Sequence, residues 1–217
     1  MHVEAEPRTA MAALRIQRMS GTIGVVSRNL ELSMTHRARF LLSCFLVSLL
    51  PSLAWAELKV GAIAPAITTK AALGGKELTF TLSDALKKGP VVVYFYPKSF
   101  TSVCTEEANL FAEAMAEFKT LGSSVIGISA DSIETQREFS RTECRDKFPV
   151  AADPDGKIVR AYDTMSLNLG VTIFASRTSY VITPDGKVAS VLTASDAGSH
   201  IQSALTFVKA WKARQVR

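Results

Sequence analysis

"VVVYFYPKSFTSVCTEEANLF", Val91 to Phe111, changes its hydrophobic period at a proline. Val91 to Tyr96 is continuously apolar and rich in β-branched and aromatic residues, the pattern of a central strand covered on both faces. Beyond Pro97, Ala108, Phe111, Met115 and Phe118 recur at helical spacing, with Glu and Lys between them and Gly122 as a stop. A strand therefore feeds a helix that begins near Cys104. At this point the cysteine could be a buried structural thiol, a metal ligand, or a thiolate placed at the junction to attack something.

The flanks extend the same alternation. "SSVIGISA" (123–130) reads as a second buried strand, Ile133 to Lys147 as a second helix, "FPVAAD" (148–153) as a brief extended segment and "GKIVRAYD" (156–163) as a helical turn or two. Upstream, an extended lead-in (Val60 to Pro65) and a Gly74-Gly75 turn precede "KELTFTLSDALKKGP", a short strand followed by one or two helical turns. Residues 177–194 alternate around Pro184-Asp185-Gly186, where proline presets φ and glycine supplies a positive one, so an antiparallel hairpin is expected. Ile201, Ala204, Leu205 and Val208 mark a closing amphipathic helix. The fold class is α/β: a central mixed β-sheet flanked by helices on both faces. The order of elements is that of a thioredoxin-like fold.

The chain has 217 residues, more than this one domain needs. The surplus is at the front. "MTHRARFLLSCFLVSLLPSLAWAELKV", from Met34, has two arginines, an apolar run from Phe40 to Leu50, and Ala54-Trp55-Ala56 before Glu57, as a secretory signal peptide with an Ala-x-Ala cleavage site does. A membrane anchor would need roughly 20 unbroken apolar residues. Phe40 to Ala56 supplies 17 and is interrupted by Pro51. Leu41-Leu42-Ser43-Cys44 looks like a lipid-attachment box, but only three apolar residues separate Arg39 from Cys44. The expected organisation is thus a spurious or disordered extension at 1–33, a signal peptide at 34–56 and one domain at 57–217. An exported, periplasmic or secreted protein follows, with no membrane segment in the mature form.

Removing 1–56 leaves 19 Lys+Arg against 17 Asp+Glu, a net of +2. These charges are interleaved, so no nucleic-acid partner is expected. A domain of this size buries roughly 70% of its unfolded surface and needs neither metal nor disulfide to fold. No apolar patch marks an interface, so a monomer or weak homodimer is expected.

The mature part keeps Cys104, Cys144 and His200 as its Cys and His residues. A structural zinc site takes four such ligands, so metal binding by Cys104 is disfavoured. A copper-chaperone relative would want a cysteine at 108, which is alanine. A cysteine hydrolase needs a histidine base; His200, at the start of the last helix, reads as a solvated residue. A C-x-x-C dithiol would need cysteine where Thr101 stands. What remains is a thiolate that needs no partner base. A helix's first turn with a nearby cation lowers a thiol pKa from about 8.5 into the range of roughly 3.5 to 7.5. Such a group suits peroxide: sulfur takes one oxygen, the O–O bond breaks, and a sulfenic acid results.

"PKSFTSVCTEEA" resembles the active-site segment of peroxiredoxins, Pro-x-x-x-Thr/Ser-x-x-Cys, with Pro97, Thr101 and Cys104 in the three positions. "RTSYVITPDGKV" is similar to the strand that carries that family's arginine, here Arg177, and Glu107 matches the acid that orients it. "KVGAIAPAI" resembles the family's opening segment, and the similarity runs over nearly all of 58–210, most like the bacterioferritin-comigratory branch.

The resemblance implies a peroxidase for hydrogen peroxide and organic hydroperoxides, with no metal, flavin or haem. In it Cys104 is the nucleophile, Thr101 and Arg177 position the peroxide, Pro97 shapes the backbone and Glu107 orients Arg177. Thr101 also suits a helix N-cap, and Glu107 an ordinary first-turn acid. Some members place a resolving cysteine in the second helix, which implies that role for Cys144, with a thioredoxin-like or glutaredoxin-like donor to reduce the disulfide. The other reading of Cys144 is a half-buried thiol that never reacts. Two departures stand out: Ser102-Val103 where Pro or Gly is frequent, and Asn109 where many of the branch carry a second cysteine. The competing class is an exported thiol redox partner or interaction module without peroxidase activity.

Overall fold

The computed structural model describes residues 58–170 and 172–215. The expected extension at 1–33 and the signal peptide at 34–56 lie outside the described residues. In chain order the elements are β1 (Thr68–Leu73), β2 (Lys76–Thr81), α1 (Leu82–Leu86), β3 (Val91–Phe95), α2 (Ser102–Thr120), β4 (Ser124–Ser129) and α3 (Ile133–Thr142). There follow β5 (Val150–Ala152), α4 (Lys157–Ala161), β6 (Met165–Asn168), β7 (Ile173–Ala175), β8 (Thr178–Ile182), β9 (Val188–Thr193) and α5 (Ala197–Gln215).

Seven strands form one mixed sheet in the order β2-β1-β5-β4-β3-β8-β9. β3 pairs parallel with β4 and antiparallel with β8. Its apolar run is continuous because both faces are covered. Val92 and Tyr94, with the following Tyr96, enter a core that includes Phe111 and Phe118 of α2, Phe139 of α3 and Ile201 and Val208 of α5. Val91, Val93 and Phe95 enter the opposite core with Leu82 and Leu86 of α1 and Val159 of α4. The expected mixed sheet with helices on both faces is therefore present.

The β3–β4 contact is tight. Tyr94 stands opposite Gly127, and its ring stacks on Phe111 with centroids 4.5 Å apart. A Cβ at 127 would lie 2.6 Å from Tyr94 Cζ, so only glycine leaves room for that ring.

The expected helix from Ile133 to Lys147 ends at Thr142. Cys144 lies beyond it, in a turn closed by Cys144 N–H donating to Phe139 O at 3.0 Å and Asp146 N–H donating to Ser140 O at 3.1 Å. Arg145 and Asp146 take left-handed φ of 49° and 57° there. The sequence reading also lacked β1, the partner of β2 in the hairpin around Gly74-Gly75, and the separate β6–β7 ribbon.

Candidate active site

The loop from β3 to α2 is fixed from beneath. Pro97 has no N–H with which to continue the ladder, and the preceding Tyr96 N–H makes the last link, to Ile128 O at 3.1 Å. Tyr96 Oη then donates to Gln136 Oε1 of α3 at 2.8 Å. Gln136 Nε2 donates to Ser129 Oγ at 2.7 Å, and Ser129 Oγ to Asp131 Oδ2 at 2.7 Å. Ser99 N–H closes the ring on the same Asp131 oxygen at 2.7 Å. Phe100 takes φ +64°, an uncommon conformation for a residue with a Cβ, and sets its ring edge-on to Phe139 of α3 at 5.1 Å.

Thr101 is the N-cap residue of α2, but its hydroxyl donates to Lys98 O at 3.0 Å and caps no amide. The first intrahelical bond runs from Thr105 N–H to Thr101 O at 2.9 Å. The N–H groups of Ser102, Val103 and Cys104 consequently have no acceptor within the helix. They carry the positive end of a 19-residue dipole. Cys104 is the third helical residue, and only 1% of it is exposed.

Arg177, immediately before β8, reaches across the sheet end to this turn. Its Nη2 donates to Cys104 Sγ at 3.2 Å. Its Nη1 donates to Glu107 Oε2 in an ion pair with 9% and 0% of the two side chains exposed. One planar guanidinium thus bridges sulfur and carboxylate, a geometry that an ammonium does not reproduce. Burial pushes the Glu107 carboxyl up to about 8 against the pull of Arg177. Arg177 itself is raised: burial lowers it, while Glu107 and Cys104 together outweigh that.

Of the expected site residues, Cys104, Arg177 and Glu107 meet directly. Thr101 stands one turn before the sulfur, exposed, with its proton committed to Lys98 and no hydrogen bond to Cys104 among the described residues. Pro97 ends the strand and borders a cavity shared with Asp131, Pro154 and Phe174. Cys144 is a free thiol, 0% exposed, in the same apolar cluster as Cys104 and Tyr94. Burial pushes it well up, with Glu143 adding to the effect. Asn109 faces its turn, donating to Glu143 Oε2 at 3.5 Å.

The sequence reading missed His200, which is not solvated but 0% exposed. Its Nδ1 is 2.7 Å from Ser179 Oγ and 4.0 Å from Glu107 Oε1, and its Nε2 is 3.2 Å from Ala194 O. Only its place beside Ile201 and one helical turn before Ala204 hinted at burial.

The AhpC/TSA family model matches residues 60–191. Peroxiredoxin Bcp of Xanthomonas campestris pv. campestris is 28% identical over 127 residues, 55% of this chain and 76% of that relative. Among solved structures, peroxidoxin BcpB from Mycobacterium tuberculosis is similar with a TM-score of 0.66 and 29% identity, over 70% of this chain and 97% of that one. The bacterioferritin comigratory protein of Xanthomonas campestris, solved in a study of its alkyl peroxide reduction activity, gives a TM-score of 0.58 and 27% identity, over 66% and 91% of the two chains. These likenesses carry the thioredoxin-like fold expected from the order of elements.

Proposed function

The chain belongs to the AhpC/TSA family, whose peroxiredoxins are thiol-dependent peroxidases, and from that premise we propose that Cys104 is the sulfur that attacks peroxide, both hydrogen peroxide and organic hydroperoxides. The observation that carries this reading is the 3.2 Å bond from Arg177 Nη2 to a buried Cys104 Sγ at a helix N-terminus. Cys104 attacks as the thiolate: an S–O bond forms, the O–O bond breaks, and the departing oxygen takes a proton to leave as alcohol or water. The charge that moves onto that oxygen faces the guanidinium and the open amides of the first turn of α2. Thr101 has lone pairs left to accept from the peroxide's O–H, and Glu107 holds the guanidinium in place.

The sulfenic acid is then attacked by Cys144, giving a disulfide and one water. A thioredoxin-like or glutaredoxin-like dithiol reduces that disulfide. The alkyl peroxide reduction activity of the bacterioferritin comigratory protein of Xanthomonas campestris supports the organic part of the substrate range. A sulfur only 1% exposed admits a small peroxide more readily than a protein disulfide. This favours the peroxidase over a thiol interaction module.

Stopped-flow consumption of hydrogen peroxide and of cumene hydroperoxide by the reduced protein is expected to be fast and to vanish in Cys104→Ser. A rate no better than free cysteine would favour the module. Export rests on residues 34–56; an N-terminus at Glu57 in protein recovered from outside the cytoplasm supports it, and recovery in the cytoplasm with that segment intact removes it.

A further inference from the structure

Glu107 Oε1 is buried and has no hydrogen-bond partner. The other oxygen, Oε2, is taken by Arg177. Facing the bare oxygen is His200, with Nδ1 4.0 Å away. Hydrogen-bond chemistry settles what that nitrogen offers. His200 Nε2 faces Ala194 O at 3.2 Å, and a carbonyl only accepts, so the ring proton is on Nε2. Nδ1 then carries a lone pair, which accepts from Ser179 Oγ–H at 2.7 Å. An acceptor thus faces an acceptor, and neither gives Oε1 a proton. The imidazole is pinned at both nitrogens, so it cannot turn to help. Ala194 is pinned as well, its N–H donating to Arg177 O at 3.4 Å.

We propose that His200, held by Ser179 and Ala194, is a positioning residue that keeps water from Glu107 Oε1 and thereby governs how firmly Glu107 grips Arg177 over Cys104. Ionised Glu107 holds Nη1 by a charge-assisted bond and keeps Nη2 on the sulfur. Protonated Glu107 holds it by a neutral one, roughly half as strong. The charged and titratable groups facing the pair are Arg177 before β8, Asp196 before α5, Cys104 on α2 and Tyr94 on β3. Arg177 favours the carboxylate, Asp196 opposes it, and burial dominates both. Burial also lowers His200, which keeps the imidazole neutral through the same range.

The inference rests on the peroxidase reading, and two titrations of one protein separate the two. In full-length chain carrying Cys144→Ser, the rate constant with hydrogen peroxide and the ultraviolet absorbance of the Cys104 thiolate are followed against pH. The rate and thiolate curves should part, leaving a gap in pH between them, because the grip of Glu107 on Arg177 changes apart from the sulfur's own proton. In His200→Asn the smaller side chain admits water to Oε1, the carboxylate is solvated, and the gap closes. In His200→Gln, whose amide repeats both hydrogen bonds at similar bulk, the gap returns. A rate that tracks the thiolate in the parent protein, or a gap of equal size in His200→Asn, overturns the inference while leaving the peroxidase intact. No rate above free cysteine overturns the reading beneath it. Should His200→Asn fail to fold, the infrared stretch of a protonated carboxyl decides: it should be absent in Glu107→Gln and titrate near 8 in the parent and in His200→Gln. A midpoint in the ordinary carboxylate range overturns the inference.

Discussion

Glu107 is wholly buried, with one oxygen on Arg177 and the other bare, so ionising it inside the protein costs more than ionising it in the unfolded chain. Its carboxyl is raised from 4.5 to about 8, and the native state therefore holds a proton that the unfolded state has released between those values. By linkage, the contribution of this group is fully present below about 4.5 and is lost as pH rises through about 8. Replacing it with glutamine removes that dependence. Melting temperatures of Glu107→Gln and the parent protein, compared at pH 5 and pH 9, should show the variant gaining on the parent as pH rises. A difference independent of pH would place the titration elsewhere. Cys104, Arg177 and Glu107 were legible because each belongs to a short motif whose chemistry needs that residue type. His200 was not, because burial of a lone histidine depends on what packs over it, and Ser179 of β8 and Glu107 of α2 are brought there by tertiary packing rather than by proximity in the chain.

At the scale of elements, β3 and β4 meet over Gly127 with Tyr94 pressed against its Cα, and α2 lies on the far side of the same ring through Phe111. Gly127→Ala would put a methyl 2.6 to 2.9 Å from two ring carbons and the hydroxyl oxygen of Tyr94. The ring cannot retreat without leaving its stack, so overpacking of about 1–3 kcal/mol is expected. It should appear as a lower urea midpoint at unchanged slope; an unchanged midpoint would mean that the ring has room to move. The strands and α2 were readable from their periods. The end of α3 was not. No glycine or proline interrupts the pattern between Thr142 and Phe148, and the stop is made by Arg145 and Asp146 in left-handed conformations that ordinarily call for glycine. The β6–β7 ribbon escaped for a different reason: Met165 to Asn168 is mostly exposed and pairs outside the main sheet, so no buried face imposes alternation.

Across the whole molecule, the order of layers follows from which runs are apolar on both faces, and that order places the two cysteines in one apolar cluster, both reduced and both buried. A disulfide needs Cα atoms within about 7 Å, and with both thiols buried the link is expected to form only when the packing around them opens. The part free to move is the turn around Cys144. It is tied to α2 by a long hydrogen bond from Asn109 to Glu143 at 3.5 Å and by the exposed ion pair of Arg145 with Glu113 at 3.3 Å, and an exposed pair of this kind is worth about 0–1 kcal/mol. The sheet behind it has no such cheap exit, with Val91, Val92 and Val93 of β3 wholly buried. Local opening should therefore be confined to the loop before Cys104 and the turn at 139–149. Burial holds the Cys144 thiol well up, which keeps it inert until that opening brings it to solvent and lowers its pKa. One equivalent of peroxide added to reduced protein should give a Cys104–Cys144 link by peptide mapping. Hydrogen exchange should rise at 97–105 and 139–149, with β3 and β4 unchanged. Persistent sulfenic acid, or a link between two chains, would remove Cys144 from the cycle. A link formed with no change in exchange would mean that the two sulfurs meet without the turn opening at all.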